Sequence, residues 1–303
     1  VKIIFAGTPD AAVPTLKALL SHGIKVVAVL TRPDSPQGRK KVLTPSPVAV
    51  VAREASIPVI YANKIDEETQ SLIDSYAPDL GVVVAYGALL PQHTLDAPKH
   101  GWINLHFSSL PAWRGAAPVQ WQVLSGATAA GSSVFSLVKE LDAGDIFDVC
   151  EYAIMPDETS GELLLRLSEL GAEQVLAVVE SIESGTAISR AQEGDISYAR
   201  KLELADGHLD LSSALQAYKQ FRGVTPEPGA FVYFNNERLK IHEARLAEEV
   251  QLPSGVIRSI NKNLYLGCSE GALELRTIQP FGKQAMSAMD WFRGLRQEEV
   301  SVS

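Results

Sequence analysis

Phe5-Ala6-Gly7-Thr8-Pro9-Asp10 is the joint at which an apolar strand gives way to a helix, and its reading decides the fold. Upstream, Val1-Lys2-Ile3-Ile4 completes the strand; downstream, 15–21 is amphipathic. Working outward, strand-like runs at 2–6, 25–31, 58–61, 80–85 and 102–107 alternate with helical stretches such as 15–21 and 67–76. That rhythm predicts an α/β fold with a doubly wound, mostly parallel, Rossmann-like sheet. Ligands of such sheets lie at the carboxyl ends of the strands. Two further runs, 132–138 and 146–154, are close in sequence and read as antiparallel strands finishing the sheet. A periodic helix over 161–184 closes this part. Only one glycine of the Gly-x-Gly-x-x-Gly pattern is present at the joint, so a dinucleotide lacks its usual seat. Thr8 or Asp10 is read there as a helix N-cap.

Past residue 185 the pattern changes. A polar, weakly periodic stretch over 186–204 reads as a linker. A helix at 213–222 is followed by short strand-like pieces at 231–234, 239–243, 255–260, 264–268 and 273–277, separated by turn residues. Closely spaced short strands predict a small C-terminal β-barrel, OB-like, over 205–303. The domains are therefore read as 1–185, a linker at 186–204, and 205–303.

With 303 residues and 46% hydrophobic content, the chain has material for two cores. No apolar run approaches the ~20 residues needed to span a bilayer. The amino-terminal stretch reads as a strand rather than a signal peptide, and a cytoplasmic location away from membranes is expected. Cys150 and Cys268 are far apart, and the six histidines hold no His-x-x-x-His pair, so no metal is expected. The net charge of −9 argues against indiscriminate binding of nucleic acid. It is uneven: 205–303 carries 11 Lys and Arg against 12 Asp and Glu, close to neutral.

The chemistry-bearing segment is Gly101-Trp102-Ile103-Asn104-Leu105-His106-Phe107. Strand alternation sends Ile103, Leu105 and Phe107 into a core, while Asn104 and His106 project together from the other side. Taken alone, His106 is as well explained by a structural hydrogen bond. It is followed by Ser108-Ser109-Leu110-Pro111-Ala112-Trp113-Arg114-Gly115-Ala116-Ala117-Pro118, a loop leading into a helix from about 116. A loop arginine and a helix start supply donors for a polar or anionic ligand. Leu141-Asp142-Ala143-Gly144-Asp145 forms an acidic turn between the last two strands, unremarkable by itself.

Together, the Asn-x-His strand, the Leu-Pro-x-Trp-Arg-Gly-Ala-Ala-Pro loop and the Leu-Asp-x-Gly-Asp turn closely resemble the methionyl-tRNA formyltransferases, among the folate-dependent formyltransferases. The resemblance spans nearly the whole chain. It implies Asn104, His106 and Asp142 as the catalytic three, and Ser108, Ser109, Leu110 and Pro111 as a lining of the folate site. Ser109 stands where those enzymes usually carry leucine. Residues 82–90, with Tyr86 and Gly87, resemble the wall of the pterin pocket. The implied formyl donor is 10-formyltetrahydrofolate, and the implied acceptor is the amino group of initiator methionyl-tRNA.

The three side chains also make sense chemically. An amine attacking a formyl carbon drives negative charge onto oxygen, to which an Asn104 amide and a protonated His106 can donate. Asp142, within hydrogen-bonding distance, would favour that imidazolium. The basic stretch at 31–48, with Pro33, Pro36, Pro45 and Pro47, reads on its own as a solvated loop. Its Gly-Arg-Lys-Lys resembles the family's acceptor-arm loop, which implies Arg39, Lys40 and Lys41 as tRNA contacts. Lys283 reads as merely exposed, and Phe231, Tyr233 and Leu239 as barrel core. The alternative acceptors are a UDP-amino sugar or glycinamide ribonucleotide, which have little use for that loop. A monomer is expected.

Overall fold

The computed structural model describes residues 1–37 and 41–303. Through the first half the elements are β1 (Lys2–Gly7), α1 (Val13–Ser21), β2 (Lys25–Thr31), β3 (Ser35–Gln37), β4 (Val42–Thr44), α2 (Pro47–Glu54), β5 (Val59–Tyr61), α3 (Glu67–Ser75), β6 (Leu80–Val84), α4 (Gln92–Asp96) and β7 (Trp102–His106). They continue with β8 (Arg114–Gly115), α5 (Pro118–Ser125), β9 (Ala129–Ser136), β10 (Ile146–Ala153), α6 (Ser160–Ser184) and β11 (Tyr198–Ala199). Packing divides the chain into two units. The first is Val1–Pro118, Ala130–Tyr152 and Leu164–Ala199; the second is Val119–Ala129, Ala153–Leu163 and Arg200–Ser303.

In the first unit the sheet runs β10-β9-β7-β6-β1-β2-β5. The pairs β1–β2, β1–β6, β6–β7 and β2–β5 are parallel, and β7–β9 is antiparallel. From β1 the chain builds outward through β2 and β5, then crosses to add β6 and β7 on the other side. The switch point therefore lies between β1 and β6, where such sheets open a crevice at their carboxyl ends. One face carries Ile4, Ala6, Ala28, Leu30, Val83 and Trp102 in a buried cluster. By strand alternation Asn104 and His106 belong to this same face. The apolar face thus turns polar only at the carboxyl edge of β7. The opposite face packs on α6, where Leu105 closes so tightly that a Cβ on Gly171 would lie 2.7 Å from it.

Local signals explain the helices. Ser46 caps α2 by accepting Ala49 N–H at 3.0 Å, with Pro47 in the first turn where a missing N–H costs nothing. Asp66 caps α3 through Thr69 N–H at 3.0 Å. At the first joint the N-cap expectation is corrected. Pro9 and Ala12 occupy the cap positions, and neither has a side-chain cap. Thr8 instead donates to the Tyr86 carbonyl at 2.9 Å and accepts Arg32 N–H at 3.4 Å, tying the ends of β1, β6 and β2 together. The described part of the 31–48 stretch holds regular structure. β3 and β4 pair antiparallel with Ser35 opposite Thr44, and α2 begins within it.

In the second unit, α7 (Ala214–Val224) packs with β12 (Ala230–Phe234), β13 (Glu237–Ala247), β14 (Val256–Ile260), β15 (Asn263–Gly267), β16 (Ala272–Gln279), β17 (Met286–Ser287), α8 (Ala288–Leu295) and β18 (Glu299–Ser301). The antiparallel sheet follows β12-β13-β16-β15-β14-β18 and curls around a core that includes Phe221, Leu239, Leu266, Leu275 and Trp291. Register irregularities near Glu243 let the long β13 bend. The two edges meet where Tyr233 and Ser303 exchange backbone hydrogen bonds at 2.6 and 3.0 Å. A curled, barrel-like module after a Rossmann-like sheet is thus the architecture. Among the described residues no helix is long and apolar enough to cross a membrane.

Candidate active site

His106 ends β7 and is only 6% exposed. Its Nε2 lies 2.9 Å from the Trp113 carbonyl. A carbonyl only accepts, so Nε2 carries the hydrogen and donates it. In the neutral ring Nδ1 then keeps its lone pair, and it lies 3.8 Å from Asp142 Oδ2. Burial pushes the imidazole below its ordinary value, while the Asp142 charge and the Trp113 bond pull it upward. Burial prevails because the ring is shut away from water and the carboxylate stands beyond hydrogen-bonding range. That direction favours the neutral ring at rest, with the Nδ1 lone pair turned toward the Asp142 carboxylate.

Asp142 is held as tightly. It lies in the 141–145 turn with φ +48°, a left-handed conformation that costs an ordinary L-residue on the order of 1 kcal/mol. Its Oδ2 accepts Gly115 N–H at 2.7 Å. The turn's carbonyls at Asp142 and Gly144 both accept from Gln192 Nε2, at 2.8 and 2.9 Å, and Gln192 Oε1 accepts from Arg114 at 2.6 Å. Close approach forces glycine at 144, where a Cβ would lie 1.8 Å from the Ser136 carbonyl.

Asn104 stands opposite Phe135 on β9, and His106 opposite Ser133. The Asn104 Oδ1 is buried and has no hydrogen-bond partner. Leaving a buried polar atom unpaired costs about 1–3 kcal/mol, so such an atom points to a ligand that completes it. The unpaired Oδ1 calls for a donor such as an amine N–H, and the same amide carries N–H groups that can donate to a carbonyl oxygen. Among the described residues no group of three or more His, Cys, Asp or Glu could hold a metal ion.

The formyl transferase family model matches residues 1–179, and the family's C-terminal domain model matches residues 201–296. The chain belongs to the formyl transferase family. The methionyl-tRNA formyltransferase of Leifsonia xyli subsp. xyli is 48% identical over 300 residues, covering 99% of each chain. That of Pseudarthrobacter chlorophenolicus is 49% identical over 303 residues, again covering 99% of each. A solved N-formyltransferase from Helicobacter canadensis, in complex with folinic acid and dTDP-3-aminofucose, superposes with a TM-score of 0.69. It is 17% identical, with 93% of this chain and all of that chain covered, a likeness of fold.

Within this formyl transferase, the other residues singled out from sequence fall into distinct groups. Ser108 is fully buried and donates to the Ala112 carbonyl at 2.6 Å, and Ser133 donates to the Ser108 carbonyl at 2.7 Å. Leu110 is buried against Phe135 and Ile146, with its N–H on Ser133 at 3.1 Å and a cis bond to Pro111. Ser109 is half-buried, 3.4 Å from Glu151 Oε1. The Ser108 hydroxyl and the Leu110 side chain are thus committed to the fold. The Tyr86 ring lies in the sheet core with its hydroxyl on the Ala62 carbonyl at 2.9 Å, and burial pushes that hydroxyl up to about 12. Gly87 follows it with φ +86°. Lys41 is exposed beside β4, whereas Arg39 and Lys40 lie outside the described residues. Phe231 and Leu239 are buried, and Tyr233 is 38% exposed. Sequence reasoning missed Thr8 as a strand tie, the Trp113 carbonyl, the Gly115 N–H and Gln192. The last lies in a polar stretch with no periodic signal.

Proposed function

We propose that the protein transfers the formyl group of 10-formyltetrahydrofolate to the amino group of methionine on initiator tRNA. The observation that carries the chemistry is the buried Asn104 side chain, its Oδ1 unpaired, on the strand that also carries His106, with Asp142 beside that ring. Full-length relatives named methionyl-tRNA formyltransferase support the acceptor. The folate ligand of a solved relative of the same fold supports the donor.

The amine nitrogen bonds to the formyl carbon, and the carbonyl electrons move onto oxygen, where the Asn104 N–H meets the growing charge. His106 Nδ1 takes the proton that the amine sheds, and the Asp142 carboxylate stabilises the imidazolium formed. When the carbon–nitrogen bond to folate breaks, that proton goes to the leaving nitrogen. Backbone groups of Ser108, Ser109, Leu110, Pro111 and Gly87, with the wall at Tyr86, take the folate. Arg39, Lys40 and Lys41 contact tRNA phosphates. Residues 1–185 carry the chemistry, and 205–303, joined by 186–204, contact tRNA in a cytoplasmic monomer.

The test is a competition in which purified protein and labelled formyl-folate meet charged initiator tRNA, charged elongator tRNA and a UDP-amino sugar. Label is expected on the initiator methionine. Label on the sugar instead would replace this acceptor with the small-amine one.

A further inference from the structure

We propose that Gln192 is a positioning residue that sets the Asp142 carboxylate against His106. The proposal rests on the catalytic reading of that pair. All the hydrogen-bonding directions of the Gln192 amide that matter here are used. Nε2 donates to the carbonyls of Asp142 and Gly144, and Oε1 accepts from Arg114. The first two bonds hold the main chain of a turn that contains a left-handed aspartate. The third bond leads to the residue before Gly115, whose N–H holds the Asp142 head at 2.7 Å. One side chain therefore links the base of the carboxylate to the short strand β8 that grips its tip. β8 is itself anchored by pairing with β11, six residues beyond Gln192.

The arrangement matters because the His106–Asp142 distance of 3.8 Å is not closed by a direct hydrogen bond. Nothing in the pair itself fixes the spacing, so the surroundings must. Displacements of about 1 Å at a catalytic group can cost about 10²-fold in rate. Asp142 is the charged group whose field raises the imidazole; the Trp113 carbonyl accepts from the ring and Phe135 meets it edge-on. If the carboxylate drifts, the influence that raises the imidazole weakens while burial remains.

The experiment compares wild type, Gln192→Ala, Gln192→Met and, as a neighbouring exposed control, Glu193→Ala in the full chain. His106 titration is followed by NMR, and formylation of charged initiator tRNA is assayed across pH. Met keeps the length of Gln192 and adds no charge but cannot donate to either carbonyl, so it tests the bonds rather than the bulk. Both Gln192 variants should titrate His106 at lower pH than wild type, with kcat down on the order of 10- to 100-fold and KM for tRNA little changed. Glu193→Ala should match wild type. An unmoved His106 titration in folded Gln192 variants, or activity lost only in proportion to the unfolded fraction, would overturn the proposal. Absence of formylation by the wild type would strike the proposed function instead, leaving the NMR comparison to judge Gln192.

Discussion

Nδ1 of His106 lies 3.8 Å from Oδ2 of Asp142, and that same oxygen accepts the Gly115 N–H at 2.7 Å. The carboxylate is thus anchored to a backbone donor while facing the imidazole, a geometry suited to stabilising a proton that arrives during the reaction.

The pH dependence follows from the sign of the shift. Burial lowers the His106 value below the ordinary 6.5, so kcat/KM should fall on the acid side, along a limb lying below 6.5. Asp142→Asn removes the influence that raises it, so the limb should move to still lower pH while kcat falls about 100-fold. A limb moving upward would contradict the role given to Asp142. Linkage gives a second reading. The unfolded chain binds this proton more readily, so the His106 contribution to stability is full above 6.5 and is lost as pH falls toward the folded value. Thermal melts from pH 7.5 down to 5 in wild type and His106→Gln should converge at the acid end.

Asn104→Ala separates chemistry from stability. Loss of an oxyanion donor should lower kcat by about 10²- to 10³-fold, roughly 3–4 kcal/mol. Its buried Oδ1 has no partner to lose, so the melting temperature should hold or rise rather than fall. A variant with near-wild-type kcat would remove Asn104 from the mechanism.

What the sequence made legible followed from short-period physics. The alternation through 102–107 put Asn104 and His106 on one face, whereas 141–145 was legible only as a turn and gained its place in the site from the family resemblance. Gln192 was hidden because its partners are the Asp142 and Gly144 carbonyls and Arg114, none of which leaves a pattern in a polar stretch. The pairing of β8 with β11 was hidden likewise, since two residues per strand show no alternation. Helix α8, Ala288–Leu295, went unread although Ser287 caps it and Ala288, Trp291 and Phe292 form one buried face. Thr8 looked like a cap because threonine before a helix usually is one, yet its hydroxyl reaches across the sheet to Tyr86.

That reach makes Thr8→Val informative. The substitution keeps the shape, removes the donor to the Tyr86 carbonyl at 2.9 Å and frees the neighbouring Arg32 N–H. Stability should drop by about 1 kcal/mol, read as a lower denaturation midpoint. Because the tie joins strand ends at the carboxyl edge, KM for the formyl donor should rise several-fold while kcat changes less. An unchanged KM would mean that the tie serves the fold alone.

The acceptor assignment draws on the full-length relatives, and salt tests whether the basic stretch around Lys41 meets that acceptor rather than the formyl donor. A protein of net charge −9 repels a polyanion at long range, so productive contact must come from local cations. Each phosphate contact releases counterions, and KM for tRNA should therefore climb steeply with salt in wild type. Arg39→Ala and Lys41→Ala should each weaken tRNA use and reduce the log–log salt slope by about one. KM for the formyl donor should be untouched, since folate affinity does not depend on acceptor-arm phosphates. If either substitution raised the donor KM and left the tRNA salt slope intact, the stretch would belong to the folate side of the site.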